Sequence, residues 1–261
     1  MQNLREYGRE PFETVVIHGG PGAPGEMAPV ALELSSTTTT GILEPFQTAK
    51  TIRGQIEELK DIVTKKGNPP MTLIGWSWGA WLSFLFAAQN PALAKKLILI
   101  ASGPFTEKDA QNIMKTRLNR MSEEERAKVL LLINVLEGST MAKKDDALLR
   151  LGKLISRADA YNPIPYKNQI LECRYDIYQS IWDQATKLRS KGLLLEYGKK
   201  IQCPVVAIHG DFDPHPAEGI RRPLARTLKD FRFILLERCG HTPWIEISAK
   251  QKFYETLKRE L

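Results

Sequence analysis

Short β-branched apolar runs recur along this chain, each followed by a longer stretch with helical spacing. "TVVIHGG", "MTLIGWS", "KKLILIASG", "CPVVAIHG" and "FRFILLERCG" are the runs, and "TTTTGIL" is a weaker one. Between them, "TIRGQIEELKDIVTKKG" places Ile52, Ile56, Leu59 and Ile62 on one helical face and closes at Gly67. "GAWLSFLFAAQNP" reads as a helix stopped at Asn90-Pro91, and further helices are expected around Ala217 to Leu228 and from about Ala249. Strands alternating with helices require a largely parallel sheet covered on both faces, because each crossover helix must lie on a face of the sheet.

The rhythm breaks once. From about Thr106 to Gly198 the pattern is helix after helix, beginning with "SEEERAKVLLLINVLEG", whose Ser122 and Glu125 form a capping-box signature and whose end is Gly138. "DDALLRLGKLISRADA" and "NQILECRYDIYQSIWDQATKLRSKG" follow. The expected organisation is therefore an α/β core of residues 1–105 and 199–261 interrupted by an all-helical cap of residues 106–198. At 261 residues the chain is long enough for both.

Composition narrows the class. The net charge of +7, from 37 basic and 30 acidic residues, is spread along the chain, without the basic stripe and interleaved stacking aromatics that a nucleic-acid surface needs. No segment approaches the length of uncharged apolar residues that spans a membrane. Three cysteines with no CxxC spacing suggest neither a disulfide framework nor a zinc site. A reduced, cytoplasmic protein acting on a small-molecule substrate, with no nucleic-acid or membrane partner, is the expectation.

Gly75-Trp76-Ser77-Trp78-Gly79 fits G-x-S-x-G at the end of an apolar strand and the start of a helix. A strained strand-to-helix turn there would lift the serine side chain into solvent, and needs small residues two positions either side. A serine hydroxyl is a poor nucleophile without a base, and the base needs an orienting carboxylate. With the order serine, acid, histidine, His18 is too early, His209 precedes the acid segment, and His215 stands only two residues from Asp213. His241, after the last strand, remains as the base. The acid lies in "IHGDFDPHP", with Asp213 preferred to Asp211 because the loop must travel before its carboxylate can turn to the histidine. Backbone N–H groups must hold the oxyanion: that of Trp78 in the first turn after the nucleophile, and that of Gly20 in the glycine-rich loop "HGGPG". Tyr178 and Trp182, on the last long helix of the helical block, are candidate substrate-binding residues.

Through "HGGPG", "GWSWG", "HGDFDP" and "CGH", in order and spacing, the chain resembles the α/β-hydrolase-fold serine hydrolases with a helical cap. The resemblance implies a mostly parallel sheet of about seven or eight strands, no cofactor, no metal, and an active site between core and cap. It also supports Asp213, fourth in the G-x-x-D stretch from Gly210, and suggests that one leading strand is missing or reduced. "HGGPG" and the "SWG" of the elbow are similar to proline iminopeptidases, but "GILEPFQTAKT" lacks their "D-x-R-G-x-G-x-S". The reading is a hydrolase cleaving an ester, thioester or amide through an acyl-enzyme. An aminopeptidase is the alternative, and a non-catalytic small-ligand receptor on the same fold is a rival of another class.

Overall fold

A computed structural model describes residues 3–138, 143–165 and 170–261. Among the described residues, seven strands form one sheet in the order β1-β3-β2-β4-β5-β6-β7. Strand β1 (Leu4–Tyr7) runs antiparallel to β3 (Gly41–Pro45) at the edge; β2 (Phe12–Ile17), β4 (Met71–Trp76), β5 (Ala94–Ile100), β6 (Val205–Gly210) and β7 (Phe231–Leu236) pair in parallel. The leading strand, β1, is four residues long, and Tyr7 and Arg5 on it donate to the buried Glu44 of β3.

The interior strands are apolar at nearly every position because alternate residues feed two different cores. Val15, Ile17, Leu73, Leu97, Leu99 and Val205 face the layer that contains α2 (Ile52–Lys66) and α3 (Trp78–Gln89). Val16, Ile74, Ile98, Ile100, Val206 and Ile208 face the layer that contains α1 (Ala28–Ser35) and α11 (Lys250–Arg259). Helix α3 is buried on every side from Trp78 to Ala88, which explains why its sequence is apolar all round rather than amphipathic. Helix α2 is amphipathic, as its spacing predicts, and Thr51 caps it by accepting from the Gly54 N–H.

Between β5 and β6 the described residues form six helices: α4 (Glu107–Ala110), α5 (Ile113–Asn119), α6 (Glu123–Glu137), α7 (Lys144–Asp159), α8 (Tyr175–Ser190) and α9 (Leu193–Gly198). The capping box of α6 is formed in both directions. Helix α8 begins at Tyr175, later than the helical spacing suggests, and Asn168 and Gln169 of that expected helix lie outside the described residues. Helix α10 (Glu218–Thr227) fills the crossover from β6 to β7. Among the described residues, no helix is long and apolar enough to cross a membrane.

Candidate active site

Parallel pairing brings the carboxyl ends of β2, β4, β6 and β7 to one edge of the sheet, and the residues singled out by the sequence sit on the loops leaving that edge. Ser77 follows β4 directly. Its φ of 54° and ψ of −114° lie outside the regions an L-residue ordinarily occupies, and its side chain makes no capping bond to α3. The strain is forced by close packing. A Cβ on Gly75 would stand 2.2 Å from the Gly79 carbonyl oxygen, and a Cβ on Gly79 would stand 2.2 Å from that of Ile17. Strand and helix therefore meet backbone to backbone, and the serine between them is turned outward.

Asp213 and His241 meet on the neighbouring loops. His241 Nδ1 lies 2.7 Å from Asp213 Oδ2, and both side chains are buried. Donation from Nδ1–H leaves Nε2 as the free lone pair of a neutral ring. Burial alone would raise the Asp213 pKa, but attraction to His241, His215 and His209 outweighs it and holds the carboxyl well below its ordinary range. Burial alone would lower His241, but Asp213 outweighs it and raises the imidazole above its ordinary value. Asp211 is exposed and serves the loop instead, its Oδ1 accepting from the Cys239 N–H at 3.1 Å.

Trp76 links the two halves. Its Nε1–H donates to the His241 carbonyl at 2.8 Å and its ring centroid is 5.4 Å from the imidazole, so the residue before Ser77 grips the residue proposed to serve it. Trp244 packs edge-on against Trp76 at 5.1 Å. The other two tryptophans of "LIGWSWGAW" are structural: Trp78 donates to Gln55 Oε1 and Trp81 to the Gly103 carbonyl, both inside the core. Sequence reading separates none of these roles, because an indole N–H is equally suited to either.

The "HGGPG" loop leaves β2 against the serine. A Cβ on Gly19 would collide with the Trp76 ring at 2.6 Å and approach Ser77 Cβ to 3.2 Å. Gly20 has a φ of 28°. Among the described residues neither the Gly20 N–H nor the Trp78 N–H has a hydrogen-bond acceptor. His18 fixes the loop: the Gln47 N–H donates to its Nε2 at 3.4 Å, so Nδ1 carries the proton and donates to the Gly19 carbonyl at 2.7 Å. Burial lowers the His18 pKa to about 4, keeping the ring neutral. Gly19 C=O and Gly20 N–H belong to one planar peptide, so His18 also sets the direction of the Gly20 N–H.

The helices between β5 and β6 reach this edge. Arg117 on α5 grips Asp159 at the end of α7 with two bonds, 2.8 and 2.6 Å, and the Asp159 carbonyl accepts the His241 N–H at 2.9 Å. Glu246, fully buried, accepts the N–H groups of Tyr161, Asn162 and Gly240, stapling the chain after α7 to the histidine loop. Of the predicted substrate-binding residues, Trp182 packs on Trp78 and Trp81 at 6.1 and 6.0 Å, and Tyr178 lies against Trp182 at 6.3 Å.

Two groups near the site make contacts that the sequence reading does not give them. His215 lies on Asp213, with Nδ1 2.7 Å from Oδ1 and its ring 4.7 Å from that of His241. Glu26, on the loop before α1, feels the charge of His241, and burial lifts its carboxyl to about 7. Only the i, i+2 spacing of Asp213 and His215 hinted at the first, and nothing in sequence marks the second. Among the described residues, Asp213, His215 and His241 also form the group of potential metal ligands within 4.8 Å of one another. Both imidazoles face the carboxylate at N–H···O distance, so protons bridge them.

Residues 35–246 match the family model described as alpha/beta hydrolase fold. A pimeloyl-[acyl-carrier protein] methyl ester esterase from Chromobacterium violaceum is 24% identical over 259 residues, 95% of this chain and 94% of that one. The crystal structure of VinJ superposes with a TM-score of 0.69 at 17% identity, covering 98% of this chain and 93% of that one. A proline iminopeptidase from Mycobacterium smegmatis superposes at 0.63 and 14% identity, covering 98% and 92%. At those identities the two structures bear on the fold alone.

Proposed function

The chain belongs to the alpha/beta hydrolase fold family and is a hydrolase, and we propose that it cleaves an ester, thioester or amide of a small molecule through Ser77, His241 and Asp213. The observation that carries this reading is the buried 2.7 Å His241–Asp213 pair, tied through Trp76 to the strained turn that bears Ser77. The esterase relative supports the ester among the three bond types.

In the proposed reaction Ser77 Oγ attacks the carbonyl carbon as its proton passes to His241 Nε2. The carbonyl π electrons move to oxygen, where the N–H groups of Gly20 and Trp78 meet the charge; one such donor contributes roughly 3 kcal/mol to catalysis. Asp213 stabilises the imidazolium and keeps Nε2 aimed at the serine. Collapse expels the alcohol, thiol or amine, which takes the proton from His241 and leaves the acyl group on Ser77. Water then attacks the acyl carbon, His241 takes its proton, and the acid leaves with Ser77 restored. The chemistry calls for no cofactor.

We read the helical segment 106–198 as a cap on a core of residues 1–105 and 199–261, with Tyr178 and Trp182 contributing apolar walls to the substrate site. Three unpaired cysteines suit a reducing, cytoplasmic setting. Fluorophosphonate labelling tests the central claim. One label per chain, on Ser77 and absent from Ser77→Ala, is expected; an unlabelled wild-type chain overturns the hydrolytic reading in favour of a ligand receptor.

A second reading, removal of an N-terminal residue from small peptides, rests on the buried Glu26 carboxyl, which lies within range of the His241 charge and would ionise on meeting a substrate ammonium. Esters of graded acyl length compared with prolyl-anilide decide between them. Preference for the anilide, lost in Glu26→Gln, establishes the second reading.

A further inference from the structure

His215 makes more contacts with the proposed acid than the base does. Its backbone N–H donates to Asp213 Oδ1 at 2.9 Å, and its ring Nδ1 reaches the same oxygen at 2.7 Å. Its carbonyl accepts from His209 Nε2 at 2.8 Å, so His209 carries its proton on Nε2. Pro214 and Pro216 flank it and fix two neighbouring φ angles. The residue is thereby held at its carbonyl, its amide and its ring.

We propose that His215 is a positioning residue for hydrolysis: its imidazole pins Asp213 Oδ1 so that Oδ2 stays aimed at His241. A carboxylate has two oxygens and rotates about one bond. Two donors from one residue on Oδ1 stop that rotation, and the single bond from Oδ2 to His241 inherits the orientation. The ring of His215 also lies against that of His241, 4.7 Å between centroids and 34° between planes, and limits where the base can turn. Burial depresses the His215 pKa to about 4, which keeps Nδ1–H a neutral donor while His241 titrates.

The inference rests on the proposed Ser77–His241–Asp213 relay. If Ser77 takes no fluorophosphonate the relay itself falls; if Ser77 labels, the following measurements judge His215 alone. His215→Leu keeps the backbone N–H and much of the bulk but removes the ring donor. Turnover should fall by about 10- to 100-fold with KM changing by less than about threefold, because a misaimed base slows chemistry rather than binding. Asp213, relieved of one donor, concentrates more charge toward His241, so the acid limb of the rate profile should move to higher pH. The charged and titratable groups that face this pair are Asp159, Arg117, Arg120, His209, Cys239 and Glu26, and all remain in place.

His215→Asn places an amide N–H near the position of Nδ1–H and should restore turnover to within about fivefold and return the limb. Unchanged turnover and limb in His215→Leu overturn the proposal. So does a fall in turnover with no movement of the limb, which marks a packing role, and so does His215→Asn proving as inactive as His241→Ala, which makes His215 the proton carrier. Imidazole nitrogen NMR on the unaltered protein needs no variant to fold. It should show one histidine titrating above the ordinary range, and a neutral Nδ1–H signal assigned to His215 persisting throughout; an Nε2–H tautomer for His215 overturns the proposal.

Discussion

A hydroxyl, an imidazole and a carboxyl carry the proposed chemistry, and each is ordinary until its surroundings act on it. The imidazole must be neutral to accept a proton, and Asp213 raises its pKa. The rate should therefore fall on the acid side with a midpoint above that of a free histidine, measured as kcat/KM against pH. Asp213→Asn removes the attracting charge and leaves burial, which favours the neutral ring, so the same limb should move to lower pH while turnover drops by roughly 10³- to 10⁴-fold. Asp211→Asn should stay within about threefold, since it loses only part of one loop bond. Sequence reasoning reaches Ser77, His241 and Asp213 because chain order and strand ends restrict the choices. It gives Trp76 no role because its partner, the His241 carbonyl, is defined only when the loops after β4 and β7 converge, and it sets His215 aside as too near Asp213 to be the base without seeing that the same nearness lets its ring reach Oδ1.

The elbow is a property of an element, since its strain is held by β4 and α3 together. Gly79→Ala would push a Cβ to 2.2 Å from the Ile17 carbonyl oxygen and 2.5 Å from that of His18. A loss of about 3 kcal/mol or more in urea unfolding is expected, with β2 and the glycine-rich loop after it displaced. Arg117→Ala leaves Asp159 buried without its partner and should cost about 3 to 5 kcal/mol, with lowered activity because Asp159 also holds the His241 amide. The long elements were legible because amphipathic or fully apolar patterns repeat over several turns or a whole strand. Helix α1, "APVALELS", is eight residues with no side-chain cap, and β1, "LREY", is four residues with two adjacent charges and no alternation. Neither carries enough period to be read.

At the scale of the molecule, the helices between β5 and β6 do not stand apart from the sheet. Ile177, Ile181 and Ala185 of α8 share one buried cluster with Trp78, Trp81 and the strands, and Arg117, Asp159 and Glu246 fasten the same segment to the histidine loop. Calorimetry should show a single transition that coincides with loss of helical circular dichroism and of tryptophan fluorescence; two separated transitions would show that the segment unfolds alone. Asp213 also links stability to pH. Its folded pKa is depressed, so its contribution is full above the unfolded carboxylate value and is lost as pH falls through the folded one.

Order along the chain decided much by itself. Apolar runs of strand length alternating with helices allow little but a covered parallel sheet, and glycines two positions either side of a serine at a strand end let strand and helix meet backbone to backbone. These are consequences of local pattern, because backbone hydrogen bonding and the burial of side chains act over a few residues at a time. The tertiary structure alone decided that Trp76 is the indole that reaches the His241 loop and that His18 aims the Gly20 peptide. Hydrogen bonds are satisfied or lost within a few tenths of an ångström, and that precision exists only after distant segments have packed.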